Sequence, residues 1–138
     1  MSIDIEKLMK ELKVDEGFRD KVYKCSAGKL TIGYGWNLED NELPERIAEM
    51  MLSYAIGDKL QSLERLSWWC KLNDARKRAI VNMAFNIGVA GVLKFKKMIA
   101  AIERGDFSQA ALEMDDSKWS KQVGARADRL ILMMNRGY

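Results

Sequence analysis

The first part of the chain carries apolar residues at helical spacing, with charged residues filling the positions between them. The apolar positions are Ile5, Leu8, Met9 and Leu12. This pattern predicts an amphipathic helix over residues 3–13. A glycine at position 17 accepts the left-handed backbone with which helices often end, so we expect the helix to stop at Asp15-Glu16-Gly17.

The period changes to two residues between positions 22 and 36. Leu30, Ile32, Tyr34 and Trp36 alternate there with small or polar residues. Such alternation predicts a half-buried strand of a hairpin, with Thr31 on the face opposite the apolar side chains. Three glycines in the same stretch leave room for a ligand to approach the backbone. They are Gly28, Gly33 and Gly35.

From Pro44 onward the pattern is helical to the end. Pro44 is a helix start signal, and Asn73-Asp74 can cap a second helix that stops near Gly88. Further helices are predicted over about 92–103, 106–114 and 122–134, with Gly105-Asp106 as a turn and cap between the first two. The expected inward positions of the first two helices are Ile47, Met51, Tyr54 and Leu60, then Ala75, Ala79, Ile80, Met83 and Ala84. Of the tryptophans, we expect Trp119 to be buried and one of Trp68 and Trp69 to be exposed.

Composition narrows the class of protein. With 138 residues, 48% of them hydrophobic and one of them proline, the chain suits one compact and mostly helical domain. A net charge of +3 would help contact with an anionic surface such as a cell wall, or serve only solubility. No apolar run is long enough for a signal peptide or membrane span. Without histidine, and with two distant cysteines, no metal or other cofactor is expected.

Three residues form the strongest candidate for chemistry. Glu16, Cys25 and Thr31 set an acid, a thiol and a hydroxyl at fixed intervals, which suits cleavage of a bond beside a positioned water. Partial burial at the helix end would raise the pKa of Glu16 and make it a general acid, whereas a lone glutamate there is more often a solvated charge.

Cys25 and Thr31 each have a structural alternative. A free thiol has a pKa of about 8.5, so Cys25 needs a nearby cation to become a thiolate at neutral pH. The candidate cations are Lys21, Lys24 and Lys29. Otherwise Cys25 is a small half-buried residue, and Thr31 is a threonine suited to a strand. Cys25 and Cys70 are expected to remain thiols, although a disulfide between them stays open.

The spacing E-x8-C-x5-T, with Asp15-Glu16-Gly17 before it and Thr31-Ile32-Gly33-Tyr34-Gly35 at its end, resembles the catalytic segment of phage-type lysozymes. These are the muramidase endolysins of glycoside hydrolase family 24. Residues 82–88, 117–119 and 125–127 resemble the family's later helices. Two positions differ from the usual pattern, because Cys25 stands where most members have aspartate and Trp36 where they have histidine.

The resemblance implies a fold and a substrate. The fold would be α+β and predominantly α-helical, with a small β-hairpin lobe packed on a helical lobe and a cleft between them. Residues 1–138 would form one domain, with 14–40 in the hairpin lobe and 1–13 and 44–138 in the helical lobe. The substrate would be bacterial peptidoglycan, cut between N-acetylmuramic acid and N-acetylglucosamine. The enzyme would be a monomer that reaches the wall from the host cytoplasm after membrane permeabilisation.

The resemblance also implies roles for particular residues. Glu16 would be the acid, Cys25 the supporting anion or base, and Thr31 the residue that holds the attacking water. Arg126 would orient Glu16, although an arginine on an amphipathic helix edge is equally often a surface charge. Phe85 and Asn86 would contact the saccharide by ring stacking and amide hydrogen bonds, although a helical phenylalanine is more often part of the core.

Other readings remain. A thiolate at Cys25 could act as a base and give inversion, or attack the sugar and form a thioether that is harder to turn over. A lytic transglycosylase would use the glutamate without external water. An inactive wall-binding module would bind without cleavage. A helical nucleic-acid binder would use Arg76-Lys77-Arg78 and show a steep salt dependence.

Overall fold

The computed structural model describes residues 2–138. The helices in this part of the chain are α1 (Ile5–Glu16), α2 (Glu45–Leu63), α3 (Asp74–Leu93), α4 (Lys96–Glu103), α5 (Phe107–Asp115), α6 (Lys118–Val123) and α7 (Ala125–Arg136). The strands are β1 (Arg19–Lys24), β2 (Leu30–Gly33) and β3 (Trp36–Asn37), and a short 3-10 segment covers Trp69–Lys71. The chain is 65% helical with a small antiparallel sheet, so the predicted α+β, mainly helical, lysozyme-like class is confirmed.

The chain divides into two compact units. One reaches to Met50 and the other is Met51–Tyr138. The first unit contains α1, the sheet and the start of α2. The predicted division into a hairpin lobe over 14–40 and a helical lobe over 1–13 and 44–138 stays a prediction.

Both ends of α1 are capped. Asp4 accepts a hydrogen bond from the backbone N–H of Lys7 on its side-chain Oδ1 at 3.0 Å. At the other end, Gly17 has φ +69° and donates its N–H to the carbonyl of Lys13 at 3.0 Å. Glu16 is the last residue of the helix because Gly17 leaves the helical conformation, so the predicted stop at Asp15-Glu16-Gly17 is confirmed, and the regular helix runs three residues beyond the periodic span 3–13.

Residues 22–36, in which a strand of a hairpin was predicted, contain the end of β1, all of β2 and the first residue of β3. β1 pairs antiparallel with β2, with Arg19 opposite Gly33 and Tyr23 opposite Thr31, and the register shifts between these two pairs. β2 pairs with β3 through the Ile32 and Trp36 positions. The loop between the last two strands is Tyr34-Gly35, and the strand pairing folds it back beside the end of α1.

Polar side chains brace this unit. Asn37 accepts the backbone N–H groups of Glu39 and Asp40 on its Oδ1, at 2.9 and 3.0 Å. Glu39 in turn accepts the N–H of Leu30 at 2.6 Å. Within residues 2–50, no hydrophobic side chain is fully buried, and Thr31 is the buried residue, at 2% exposed. The predicted faces of the strand are therefore wrong: Leu30, Tyr34 and Trp36 are exposed instead.

The hydrophobic core lies in the second unit. Asn73 caps α3 by accepting the N–H of Arg76 at 3.0 Å, as predicted. The five predicted inward residues of α3 are all buried, and the buried set continues through the later helices with Met98, Ala101, Ile102, Ala110, Met114, Ala127, Leu130 and Met134. Gly88 has φ +78° and interrupts the helical conformation where the helix was expected to stop, but α3 resumes and ends at Leu93.

Three further expectations about packing can be judged. The inward stripe of α2 is wrong for Ile47, Met51 and Tyr54, which are exposed, and holds only for Leu60, which packs against the core. The prediction that one of Trp68 and Trp69 is exposed is also wrong. Both are buried, because they lie in a turn and a 3-10 segment rather than on one regular helix. Trp119 is buried as predicted.

The last helices begin later than the periodicity indicated. Ser117 caps the unpredicted α6 by accepting the N–H of Ser120 at 3.2 Å, and Gly124, with φ +71°, separates α6 from α7. Asp106 caps α5 as predicted, through the N–H of Gln109 at 3.1 Å.

Within residues 2–138, no single helix is long and apolar enough to cross a membrane. Only α3 and α4 taken together meet the criteria of length and composition, and these two helices are bent by 91° relative to each other.

Candidate active site

Glu16 lies at the exposed end of α1. The burial predicted for its side chain is wrong, because the chain turns away at Gly17 and leaves the carboxyl at the surface. The side chain borders a pocket of about 490 Å³ along α1 that also includes Tyr34. The other lining residues are Ile5, Leu8, Met9, Leu12 and Lys13.

The loop after β2 lies directly against this carboxyl. A Cβ placed on Gly35 would be 2.6 Å from Oε2 of Glu16. The neighbouring Tyr34 ring has its centroid 5.6 Å from the Lys13 ammonium and 5.5 Å from the centroid of Phe18. Because Lys13 and Phe18 flank Glu16 in sequence, these contacts hold the loop beside the carboxyl.

Cys25 sits at the turn between β1 and β2. Its backbone N–H donates to the carbonyl of Lys29 at 2.9 Å, and Gly28 donates its N–H to the carbonyl of Cys25 at 2.8 Å. The backbone N–H groups of Lys29 and Ala27 lower the pKa of the Cys25 thiol because they stabilise the thiolate, and the Thr31 hydroxyl adds a smaller effect in the same direction. Partial burial of the sulfur opposes them.

The expected cation is not the main cause of the lowered pKa of Cys25. Hydrogen bonds from backbone N–H groups lower the pKa of the thiol most, and Lys21 and Lys24 do not contribute, whereas the charges of Lys29 and the thiolate interact weakly. Lys29 instead pairs with Asp40, at 3.2 Å between Nζ and Oδ1. This hydrogen bond is the main reason that the pKa of Lys29 is raised, and the charge of Cys25 contributes least.

Thr31 lies beside the sulfur and is buried. Its hydroxyl donates to the carbonyl of Lys29 at 3.0 Å and is also close enough to Cys25 to favour the thiolate. At this position the buried face of the strand is therefore the one opposite the alternating apolar residues. The role of Thr31 in holding water stays a prediction, as do the catalytic roles of Glu16 and Cys25. Cys25 and Cys70 are both free thiols.

The second unit has a pocket of its own. Phe85 is half-buried and lines a space of about 590 Å³, together with Asn82 and Arg126. The Lys59 ammonium lies 5.1 Å from the centroid of the Phe85 ring. An aromatic ring beside a cation and an amide is compatible with saccharide contact, and that contact stays a prediction.

Asn86 and Arg126 have structural partners within the same unit. The indole N–H of Trp119 donates to Oδ1 of Asn86 at 2.7 Å. Arg126 donates from Nε to Oδ1 of Asn82 at 2.8 Å and from a terminal nitrogen to the carbonyl of Asn82 at 3.1 Å. The orienting role of Arg126 toward Glu16 and the saccharide contact of Asn86 stay predictions.

Asn82 is a residue that sequence reasoning did not select. It holds Arg126 through both its side chain and its carbonyl. The available signal was the spacing of Asn82 and Asn86, because residues four apart lie on the same face of a helix. Two amides on one helix face then indicate a pair of polar partners on a neighbouring helix.

Replacement of Thr31 by valine tests the origin of the thiol's acidity. Because the hydroxyl favours the thiolate, Thr31→Val should raise the pKa of Cys25 and move the alkylation-rate profile to higher pH. The measurement is the pH dependence of iodoacetamide modification in a Cys70→Ser background. Ser26→Ala, which removes a nearby hydroxyl in the same turn, is the control and should leave the profile unchanged. An identical profile for Thr31→Val would contradict the assignment.

Replacement of Asn86 by alanine tests its contact with Trp119. The buried indole N–H would lose its partner, so the free energy of unfolding should fall by about 1–3 kcal/mol. In a Trp119→Phe background, which has no N–H to satisfy, the same replacement should have a smaller effect. Urea unfolding followed by circular dichroism measures both. Equal losses in the two backgrounds would show that the hydrogen bond does not account for the effect.

Comparison with known proteins places this geometry in a family. Residues 13–136 match the model of the phage lysozyme family. The chain is 29% identical to "Probable T4-type lysozyme 2" of Dictyostelium discoideum, with 96% of each chain covered. It is 32% identical to "Probable T4-type lysozyme 1" of the same organism, covering 91% of this chain and 92% of that protein.

A phage protein is also similar. The "Endolysin" of Acyrthosiphon pisum secondary endosymbiont phage 1 is 32% identical, with 84% of this chain and 79% of the endolysin covered. The matched span of the family model includes Glu16, Cys25 and Thr31 as well as the α3, α6 and α7 residues described above. The chain therefore belongs to the phage lysozyme family and is a lysozyme-type enzyme that hydrolyses peptidoglycan.

Proposed function

We propose that this enzyme hydrolyses the β-1,4 bond between N-acetylmuramic acid and N-acetylglucosamine. The observation that carries the proposal is the placement of the Glu16 carboxyl at a capped helix end, against Gly35, within the span that matches the family. An exposed carboxyl in a constrained position can reach a polymer that cannot enter a closed pocket. Residues 25–31 of the same unit supply the second reactive group.

Glu16 is the proton donor of the proposed reaction. In its protonated form it transfers a proton to the oxygen that bridges the two sugars, and this oxygen leaves with the electrons of the broken C–O bond. The sugar carbon that loses the bond develops positive charge. A water molecule then attacks that carbon from the opposite face.

Cys25 is the proposed base. As a thiolate it takes the proton that the attacking water loses, which gives inversion at the sugar carbon. The backbone N–H groups of Lys29 and Ala27 support this role, since they favour the thiolate without titrating themselves. The alternative, attack by sulfur on the sugar, would leave a thioether that water must later cleave. We favour the base because a thioether is a poor intermediate for turnover.

Thr31 supports the thiolate and holds the water in this scheme. Its hydroxyl has one proton, which goes to the Lys29 carbonyl or to the sulfur, and free lone pairs that can accept from water. In the second unit, the Phe85 ring would stack on a sugar and the free amide N–H groups of Asn86 would donate to an N-acetyl carbonyl. The Oδ1 of Asn86 already accepts from Trp119.

The product and the acid can be tested together. Glu16→Gln should lower the rate of formation of new reducing ends on purified peptidoglycan by about 10²–10⁴-fold, the usual contribution of a general acid. Asp15→Asn is the matched control, because it removes the neighbouring exposed carboxyl, and it should retain activity. Full activity in Glu16→Gln would contradict the assigned acid.

The sugar found at the new reducing ends identifies the glycosidic bond that the enzyme cuts. The proposal expects reducing N-acetylmuramic acid, whereas reducing N-acetylglucosamine would place the cut at the other linkage. A 1,6-anhydro product would indicate a transglycosylase, and sedimentation with walls without new ends would indicate an inactive binding module.

Replacement of Cys25 tests the proposed base. Cys25→Asp should retain activity and Cys25→Ser should lose most of it. An unaffected Cys25→Ser would show that the thiol is structural.

We further propose that the enzyme acts as an endolysin, degrading the host wall from the cytoplasm after the membrane is permeabilised. Support comes from its similarity to the phage endolysin. Production of the enzyme inside bacteria should therefore leave the culture turbid until a membrane-permeabilising agent is added, and turbidity should then fall. Glu16→Gln produced to the same level is the control. Lysis without the agent would contradict the proposed dependence on permeabilisation.

A further inference from the structure

We propose that Gly35 is a positioning residue for the Glu16 carboxyl, an inference that rests on the proposed function. The carboxyl end of Glu16 lies over the bare Cα of Gly35. A Cβ at Gly35 would be 2.6 Å from Oε2, 3.0 Å from the carboxyl carbon and 3.4 Å from Cγ. The first distance is too short for atoms that are not bonded, so any side chain at this position would displace the carboxyl.

The space at Gly35 differs from that at the other glycines of the hairpin. Gly28, Gly33 and Gly35 all have positive φ, between +69° and +78°, and therefore share a backbone that disfavours other residues. Around Gly28 and Gly33, however, a Cβ would meet nothing within 4 Å. Only at Gly35, among these three, does the absence of a side chain also make room for the proposed acid.

Neighbouring contacts keep this loop where it is. Tyr34 contacts Lys13, three positions before Glu16, and Phe18, two positions after it. Gly33 is paired with Arg19, three residues after Glu16. The loop backbone is thus held from two directions and cannot easily retreat from a larger side chain. The glutamate, with its flexible side chain, would move instead.

This displacement matters because proton transfer is sensitive to position. A shift of about 1 Å in a reacting group can reduce a rate by about 100-fold. The backbone of Gly35 therefore limits the movement of the Glu16 carboxyl on one side. Because Gly35 has no Cβ, the carboxyl can occupy the position that the reaction needs. The competing view is that the exposed carboxyl moves freely and meets Gly35 only by chance.

The decisive comparison is Gly35→Ala against Gly33→Ala. Both variants place alanine at nearly the same positive φ, so both should lower Tm by a similar amount. Only Gly35→Ala should disturb Glu16. We expect its kcat on peptidoglycan to fall by about 10–100-fold more than that of Gly33→Ala, with KM changed by less than about threefold.

A second readout does not depend on activity. In protein labelled with ¹³C at the glutamate carboxyls, the Glu16 signal is identified by its absence from Glu16→Gln. That signal should shift in Gly35→Ala and stay in place in Gly33→Ala. The double variant Glu16→Asp/Gly35→Ala provides a further check, because the shorter acid avoids the methyl group. Gly35→Ala should then have little additional effect on kcat.

If Gly35→Ala does not fold, Tyr34 offers another route. Tyr34→Ala removes the ring that holds the loop and should lower kcat and shift the Glu16 signal, whereas Tyr34→Phe keeps the ring and should restore both. Equal behaviour of Gly35→Ala and Gly33→Ala in both readouts, or of Tyr34→Ala and Tyr34→Phe, would overturn the inference. Full activity in Glu16→Gln would instead overturn the proposed function, and the carboxyl signal would still report the contact.

Discussion

The pairing of Arg19 with Gly33 joins the end of α1 to the loop of the hairpin, and the arrangement around Glu16 depends on it. Arg19 is three positions after Glu16, and an extended chain spans about 10 Å over three positions. The loop after Gly33 must therefore lie close to the carboxyl. Contacts of Tyr34 with Lys13 and Phe18 then fix the position of this loop relative to α1.

The resemblance to phage-type lysozymes implies aspartate in most members at the position of Cys25, and the local backbone favours the ionised form of the thiol that stands there. An aspartate is ionised at neutral pH without help, whereas a thiol is mostly protonated. Backbone N–H groups favour the thiolate without titrating themselves, so their effect persists at every pH at which the turn is folded. Lys29 remains free to pair with Asp40, which braces the same turn from its outer side.

Much of the second unit could be predicted from its sequence, because burial there follows helical periodicity. The alanine-rich stripe of α3 and the caps at Asn73 and Asp106 are local signals, and they hold. Burial in the hairpin was harder to predict from the sequence. Alternation of Leu30, Ile32 and Trp36 with small or polar residues suggested that one side of the strand is buried, but no hydrophobic side chain of residues 2–50 is fully buried, and Thr31 occupies the buried position.

The geometry of the candidate site could likewise be predicted only in part from the sequence. The spacing of Glu16, Cys25 and Thr31 and its resemblance to phage-type lysozymes selected these three residues, but the role of Gly35 and of the Ala27 and Lys29 amides depends on backbone geometry that spacing does not encode. In a unit without a buried apolar cluster, position is set by local bonds such as Glu39 to Leu30 and by the absence of side chains at turns. Precision at Glu16 therefore comes from a capped helix end, a paired strand and a glycine. The partial burial that the sequence pattern predicted for Glu16 is absent, because this residue is exposed.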